Sequence, residues 1–289
     1  MQRSNTWSRF HKHVSPEEER GSVRWRTLFD QVLKPDKLHV FSQPCFQLDE
    51  QQDNQLEHCE LFARINDPEK GVIKASRFNS AIESVGYEII LDKAVLRTIL
   101  RYLKVSKDSM CYSINLHVVP FADRAYFKWF RDELLQLSTE QRKQLIFEFA
   151  EARLVKHLDY MRPVAKMISG LGCKVAVGQA GRSIVSTYYL KELPISYLKL
   201  HRSLVKQIDQ RHENQLFIRS LLGACAGLNT KLIAVGVDSK QEHKTVLQLG
   251  VHGVQGRYFE SEKQLIPQHI QHKQTAEFKK VQIGRRKRW

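Results

Sequence analysis

Charged side chains interrupt several short apolar runs of this chain, at places where they could carry acid–base or phosphate chemistry. Glu60, Glu148 and Lys199 each lie inside such a run. None of the 12 histidines has HExxH spacing, no CxxC pair occurs, and no glycine-rich phosphate loop follows an apolar run. The common motif-based enzyme classes therefore gain no support, and the charged residues within the apolar runs are the candidates for a site.

Apolar runs alternate with amphipathic stretches from Lys37 onward, which is the pattern of repeated βα units. The predicted strands are Leu38–Gln43, His58–Ile65, Cys111–Leu116, Leu145–Phe149, Cys173–Val177, Tyr197–Leu200, Lys231–Val235 and Gly253–Gln255. The predicted helices are Ala75–Val85, Lys93–Leu103, Asp123–Leu137, His157–Gly170, Ser183–Leu193, Gln215–Ala226 and Lys240–Leu249. Eight strands with intervening helices favour a barrel, although the alternation alone leaves a doubly wound open sheet as an alternative.

The chain divides into three parts by composition. Residues 1–36 are predicted to be a helical connector, in which one helical run has Val23 and Leu28 on the same face. Residues 37–270 contain the alternating runs and are assigned to the barrel. Residues 271–289 are strongly basic, and we expect them to be a disordered tail.

The balance of charge is unusual, with 46 Lys and Arg against 31 Asp and Glu, a net charge of +15. Such a balance favours an anionic partner such as RNA, DNA, a lipid surface or an acidic protein, while a merely solvated basic surface remains the alternative. The candidate nucleic-acid contacts are six residues near the C-terminus: Lys279, Lys280, Arg285, Arg286, Lys287 and Arg288.

The five cysteines are scattered, and no apolar run reaches the roughly 18 residues of a membrane span. We therefore expect a soluble, cytoplasmic chain without disulfides.

The segments around the predicted strands resemble the EAL family, the cyclic di-GMP phosphodiesterases of bacterial signalling. The resemblance covers about Leu38–Phe259, and the signature tripeptide falls at Glu60, Leu61 and Phe62. Further matching segments are SINLH, FEFAE, YLKLHRSLV and VQGRYF. The resemblance implies an α/β protein with the EAL-type modified TIM (β/α)8 barrel, in which the chemistry lies at the carboxyl ends of the strands.

The resemblance also assigns roles to the site positions that survive in this chain. They are Glu60 of the signature, Arg64 as a phosphate contact, Asn115 and Glu148 as metal ligands, Glu151 as a supporting glutamate, Lys199 as the active-site lysine and Gln255 as a late glutamine. Two of these acids and two bases could instead neutralise one another inside the barrel mouth, because buried charges need partners. We expect Glu60, Arg64, Glu148 and Lys199 to form that balanced set.

Three acidic positions of the family are lost. Gly178 and Gln179 replace two metal-binding aspartates, and Val235 replaces the base glutamate. Two divalent cations roughly 3.5–4 Å apart need several converging carboxylates, and neither a glycine nor a neutral amide supplies that charge. We therefore expect no metal ion, no cofactor and no hydrolysis of cyclic di-GMP.

Other departures from the family lie in the loops that follow the strands. His201 replaces an aspartate, Arg257 replaces an aromatic residue, and Arg182 begins a rewritten loop after Gly181.

Within the family, the chain most resembles a degenerate branch that neither makes nor breaks cyclic di-GMP. Segments Arg20–Pro44 and Glu213–Cys225, together with GQAG and STYYLKEL, carry this similarity. It implies a catalytically inactive regulator that promotes RNase E-dependent decay of Csr-type small regulatory RNAs and is coupled to unphosphorylated glucose-specific enzyme IIA. It also implies upstream domains, one of them GGDEF-like, with an anchor at the cytoplasmic face of the inner membrane in full-length relatives.

Two alternatives remain at this point. The chain could be a receptor that binds cyclic di-GMP through Arg64 and Lys199 without cleaving it, or a phosphodiesterase with an altered metal site.

Overall fold

The computed structural model describes residues 21–48 and 55–265, in which ten strands and eleven α-helices occur. The strands are β1 His39–Gln47, β2 Gln55–Asp67, β3 Gly71–Lys74, β4 Tyr112–Asn115, β5 Leu145–Ala150, β6 Lys174–Ala180, β7 Ile195–Leu200, β8 Lys231–Val235, β9 Gly253–Gln255 and β10 Lys263–Gln264. The α-helices are α1 Ser22–Val32, α2 Asn79–Val85, α3 Glu88–Val105, α4 Arg124–Leu135, α5 Thr139–Lys143, α6 Glu151–Lys156, α7 Leu158–Gly170, α8 Tyr189–Glu192, α9 Arg202–Val205, α10 His212–Cys225 and α11 Lys240–Gln248.

Eight of the strands close into a barrel in the order β1-β9-β8-β7-β6-β5-β4-β2, and the pairing of β1 with β2 completes the circle. The neighbours from β2 through β9 are parallel, whereas β1 is antiparallel to both β2 and β9. An antiparallel pair can be joined by a short connection, while a parallel pair needs a crossover of a dozen or more residues. Because β2 begins at Gln55, soon after β1 ends at Gln47, no crossover helix fits between them.

The predicted barrel is thus confirmed, and each predicted strand overlaps an observed one. The predicted helix Ser183–Leu193 is wrong in extent, because only Tyr189–Glu192 is helical. In the preceding loop the Ser186 hydroxyl accepts a hydrogen bond from the backbone N–H of Tyr188 at 3.3 Å. Such local side-chain bonds compete with helix formation.

The main apolar core lies between the barrel wall and the surrounding helices, and α1 contributes Trp25, Leu28 and Phe29 to it. Val23, expected on the same face as Leu28, is instead 75% exposed. A smaller apolar layer lies inside the barrel and consists of Cys45, Ile146, Ala176, Tyr197 and Ile233. The strands position their polar side chains next to this inner layer.

None of the helices within the described ranges combines the length and the apolar character that crossing a membrane requires. The beginning of the predicted connector and the tail with Lys279, Lys280 and Arg285–Arg288 lie outside the described residues. The proposed three-part division of the chain therefore stays a prediction.

Candidate functional site

Four of the parallel barrel strands, β2, β4, β5 and β7, bring Glu60, Ser113, Asn115, Glu148 and Lys199 into the barrel mouth. The register pairs Glu60 of β2 with Ser113 of β4, and Asn115 of β4 with Glu148 of β5. Lys199 lies on β7, two strands further round. Side chains of a strand alternate between its two faces, so residues at matching positions of adjacent strands meet on the inner face.

An ion triad forms where these strands meet. The Lys199 ammonium donates to the Glu60 carboxylate and, at 2.8 Å, to Oε2 of Glu148. Ser113 Oγ donates to the same Glu148 oxygen at 3.1 Å, and Asn115 Nδ2 donates to Glu60 Oε1 at 2.9 Å. Lys199 is 1% exposed, while Glu60 and Glu148 are 6% and 7% exposed. The triad is therefore buried, and each of its charges has a partner, as buried charges require.

The charges of the triad do not balance, because one ammonium faces two carboxylates. Burial, followed by the nearby charge of Glu60, raises the pKa of Glu148 above its ordinary value. Burial alone would lower the pKa of Lys199, but the charges of Glu148 and Glu60 outweigh it and raise that pKa. The lysine thus remains charged, and Glu148 binds a proton more readily than an ordinary glutamate does.

Gly178, at the end of β6, lies directly beside Glu148. A Cβ atom built at Gly178 would overlap Glu148 Oε1 and would lie 3.0 Å from Cδ and 3.2 Å from Cγ of the same side chain. A contact as short as the one to Oε1 is essentially never seen for real Cβ atoms, so the Glu148 carboxylate occupies the space that a larger residue at position 178 would need. The space beside Gly178 is therefore filled by an acid that Lys199 already binds.

The side chains present do not fit a two-metal centre. Within the described ranges no group of three or more His, Cys, Asp or Glu side chains is placed to hold a metal ion. The Lys199 ammonium supplies the positive charge between the two glutamates that a cation would otherwise supply. A divalent ion placed there would meet an ammonium at close range, with only two carboxylates to offset both.

Gln179 and Val235 are the other two positions at which the sequence predicted a lost acid. Gln179 is exposed, adopts a positive φ of 58°, and accepts a hydrogen bond from Arg182 Nη1 at 2.8 Å. Val235 is half-buried and packs against the inner apolar layer. Neither side chain is placed to contribute charge to the triad.

Arg64 does not join the triad, so the expected balanced set of four charges is wrong for this residue. Its guanidinium donates to Glu262 and lies over the ring of Phe41, with 4.1 Å between Cζ and the ring centroid. Arg64 is 5% exposed, and burial lowers its pKa. The phosphate contact suggested for Arg64 is thus occupied by a carboxylate of the same chain.

Glu151 anchors the loop after β6. Its carboxylate accepts a hydrogen bond from the Tyr189 hydroxyl at 2.6 Å and another from the backbone N–H of Gly181 at 2.9 Å. Glu151 and Tyr189 are 2% and 1% exposed, so this is a structural contact inside the fold. Gln255 is also fully buried; it donates to Gln43 Oε1 at 3.3 Å.

Sequence reasoning missed Ser113 and Tyr189, the hydroxyl partners of the two buried glutamates on β5 and α6. For Ser113 a signal was present, since it is a hydroxyl residue in an otherwise apolar run, two positions before Asn115. For Tyr189 there was none, because Glu151 lies 38 positions away in the sequence.

Comparison with known proteins identifies the family to which this barrel belongs. The EAL domain family model matches residues 26–262. The RNase E specificity factor CsrD of Escherichia coli (strain K12) is 35% identical over 265 residues, which is 92% of this chain and 40% of that protein. The bifunctional diguanylate cyclase/cyclic di-GMP phosphodiesterase MucR of Pseudomonas aeruginosa is 24% identical over 68% of this chain and 29% of that protein. The chain thus spans well under half the length of these curated relatives.

Solved structures show the same fold. The FimX EAL domain of Pseudomonas aeruginosa, bound to c-di-GMP, has a TM-score of 0.71 at 21% identity, and the match covers 83% of this chain and 96% of that one. The apo S helix-GGDEF-EAL structure of LapD from Vibrio cholerae has a TM-score of 0.76 at 18% identity. The match covers 83% of this chain and 58% of that one.

Proposed function

This chain belongs to the EAL domain family, and we propose that it is a member without phosphodiesterase activity that acts as a regulator of RNA turnover. In this proposal it promotes RNase E-dependent decay of Csr-type small regulatory RNAs. The similarity to the RNase E specificity factor supports this role, since it extends over 92% of the chain. Its partners would be the RNase E pathway, the small RNAs, unphosphorylated glucose-specific enzyme IIA and the upstream domains of a longer protein.

The observation that carries the loss of catalysis is the closed triad beside Gly178. The Glu148 carboxylate occupies the side-chain space at position 178, and Lys199 holds both glutamates. A metal-dependent phosphodiesterase uses its cations to generate hydroxide and to stabilise charge on the phosphoryl oxygens. A site whose acids are already paired with an ammonium of the same chain supports neither step.

The direct test measures small-RNA half-life in cells after transcription is stopped. A strain lacking the protein should accumulate the RNAs, and complementation should restore their decay. The variant Glu148→Gln keeps the shape of the triad and leaves Lys199 paired with Glu60, so it should restore decay as well as the wild type does. In parallel, the purified chain is incubated with cyclic di-GMP and Mg²⁺ and its products are separated.

Unchanged RNA half-lives in the deletion strain would refute the proposed role. Hydrolysis above a no-protein control would refute the loss of catalysis.

A non-hydrolysing receptor for cyclic di-GMP is the second candidate, supported by the likeness in fold to a c-di-GMP-bound EAL domain. The two residues suggested as its phosphate contacts, Arg64 and Lys199, are both engaged by carboxylates of the chain. A ligand would have to displace those ion pairs. Calorimetry with cyclic di-GMP and Mg²⁺ distinguishes this candidate, because heat of binding without products would favour it.

A further inference from the structure

Basic residues collect on the loops that follow β6, β7 and β9, at the carboxyl ends of the barrel strands. Arg182 lies two residues after the end of β6, His201 directly follows β7, and Arg257 lies two residues after the end of β9. Arg182 and Arg257 lie more than 50 residues apart in the sequence, yet the barrel brings all three residues to the same end. Arg202, which follows His201, joins them.

Contacts between the loops order these residues into an arc. The backbone N–H of His201 donates to the Ala180 carbonyl at 2.9 Å, which ties the loop after β7 to the end of β6. Burial, then the charges of Arg182 and Arg202, lower the pKa of His201, in keeping with two guanidiniums close to its ring.

The arc continues to the loops after β8 and β9. Arg202 packs against Gly236, where an added Cβ would lie 3.0 Å from the Cβ of Arg202. The charge of Arg202 also helps to lower the pKa of Asp238, after the larger effect of the hydrogen bond from Arg257. Arg257 Nε donates to Asp238 Oδ1 at 3.1 Å.

The arc has an excess of positive charge. Arg257 forms an ion pair with Asp238, which offsets its charge. Arg182 and Arg202 are exposed and, within residues 21–48 and 55–265, neither forms an ion pair. Arg182 is held instead by the neutral amide of Gln179, which orients the guanidinium without cancelling its charge. Two guanidiniums are thus available to an anionic ligand.

Two exposed aromatic rings flank the arc. Phe217 of α10 is 42% exposed and packs beside Gly181, where an added Cβ would lie 2.6 Å from ring atom Cε1. Tyr258 follows Arg257, is 41% exposed, and packs against His243 and Phe259 with ring centroids 5.5 and 5.2 Å away. Both rings are therefore held by neighbours and still present surface to solvent.

We propose that this surface binds single-stranded RNA, and we call it the basic rim: Arg182, His201, Arg202, Phe217, Arg257 and Tyr258. Guanidinium groups bind phosphate oxygens in a bidentate manner, and exposed aromatic rings stack on bases of single strands. An acidic protein surface would use the arginines but would not need the flanking rings. The proposal rests on the proposed role in RNA turnover and gives that role a contact surface that works without metal ions.

The test measures the affinity of the full 289-residue chain for an unstructured, fluorescently labelled RNA of roughly 16 nucleotides, a length on the order of a large single-strand site. The main variant is Arg182→Gln with Arg202→Gln. The matched control is Arg101→Gln with Lys104→Gln, which removes two exposed charges from α3. The end of α3 leads into the start of β4, so this control lies toward the opposite end of the barrel. Urea unfolding establishes that every variant is folded.

The two kinds of contact have different signatures. Each phosphate contact to a single strand contributes about 0.7 to the salt slope, so losing two flattens the slope by about 1.4. When the salt concentration rises roughly fourfold, the affinity of the wild type should therefore fall by a factor about seven times larger than that of the rim variant. Tyr258→Leu should weaken binding roughly tenfold at every salt concentration without changing the slope, because stacking is not electrostatic.

Equal affinities and slopes for the wild type and the rim variant would overturn the proposal, and so would an equal change in the α3 control. The half-lives of the small RNAs in cells separate this failure from a failure of the proposed function. If decay still requires the protein while the rim variant binds RNA normally, the rim is refuted and the role in RNA turnover stands. If decay does not require the protein at all, the proposed function is refuted whatever the binding data show.

Discussion

The contact between Glu148 and Gly178 makes Gly178→Ala the most informative single substitution in this chain. Gly178 does not have a positive φ, so alanine suits its backbone conformation. In an open position the change would stabilise the protein by about 0.4–1 kcal/mol, because it reduces the freedom of the unfolded chain. The opposite sign is expected here, since the new methyl group would overlap the Glu148 carboxylate.

The size of the effect follows from what Glu148 must give up. Rotating the carboxylate is not enough, because Cδ and Cγ also lie within 3.0 and 3.2 Å of the added Cβ. The whole side chain must shift, which strains its bonds to Lys199 and Ser113. Overpacking of a buried site costs about 1–3 kcal/mol. Complete loss of a buried ion pair, at about 3–5 kcal/mol, sets the upper limit.

The assay is equilibrium unfolding in urea, in which a loss of about 2 kcal/mol lowers the midpoint by roughly 0.5–1 M at unchanged slope. Gly223→Ala is the matched control, because no atom lies within 4 Å of an added Cβ in that helix. It should stabilise by about 0.4–1 kcal/mol.

The same substitution in a Glu148→Ala background should lose its cost, since the obstructing carboxylate is gone. A coupling energy of about 1–3 kcal/mol between the two sites is therefore expected. Equal stabilisation by Gly178→Ala and Gly223→Ala would show that Glu148 does not occupy this space.

Three further outcomes are expected. The raised pKa of Glu148 means that the folded state binds this proton more tightly than the unfolded state does. The contribution of this group to the free energy of unfolding should therefore fall as pH rises from 4.5 through the folded pKa. Glu148→Gln should remove that loss, as urea midpoints measured across this pH range would show; an unchanged profile would contradict the assignment. Gly178→Asp alone should not produce hydrolysis of cyclic di-GMP, because Gln179 and Val235 still lack charge; any turnover above the parent chain would contradict this. Deleting Lys279–Trp289 removes six positive charges and should flatten the salt dependence of RNA binding with little change in melting temperature, and equal salt slopes would show that the tail makes no contact.

The barrel could be predicted because its signal is local. The parallel strands β4 to β8 are short, mostly apolar runs between polar segments, and the predicted strands match them to within a few residues. The hairpin strand Gly71–Lys74 and the edge strand Lys263–Gln264 were missed because they are short and pair along an outer edge, where little burial marks them in the sequence. The helix predicted over 183–193 was wrong in extent for a different reason, since the Ser186 hydroxyl accepts a local hydrogen bond from the backbone N–H of Tyr188.

Some of the residues that form the candidate site could be predicted from the sequence, but the ion pairs between them could not. The sequence shows that acids and bases fall within the barrel strands, and Glu60, Glu148 and Lys199 do meet. The sequence does not show which base forms an ion pair with which acid. Arg64 lies on the same strand as Glu60, yet its partner Glu262 lies 198 positions away beyond the last barrel strand.

A count of charges therefore gave a neutral set of four, whereas the fold buries a set of three with an excess of one acid. This difference has a chemical consequence, because a neutral set would have no reason to bind a proton or a further cation. A set with an excess acid has one, and the burial of Glu148 together with the charge of Glu60 directs that excess toward protonation, against the opposing effect of Lys199. The absence of a side chain at Gly178 explains how the set fits, because it leaves room for the Glu148 carboxylate beside Lys199. Glu60 and Glu148 are thus held as partners of Lys199, whereas Glu151 is held by the Tyr189 hydroxyl and the backbone N–H of Gly181.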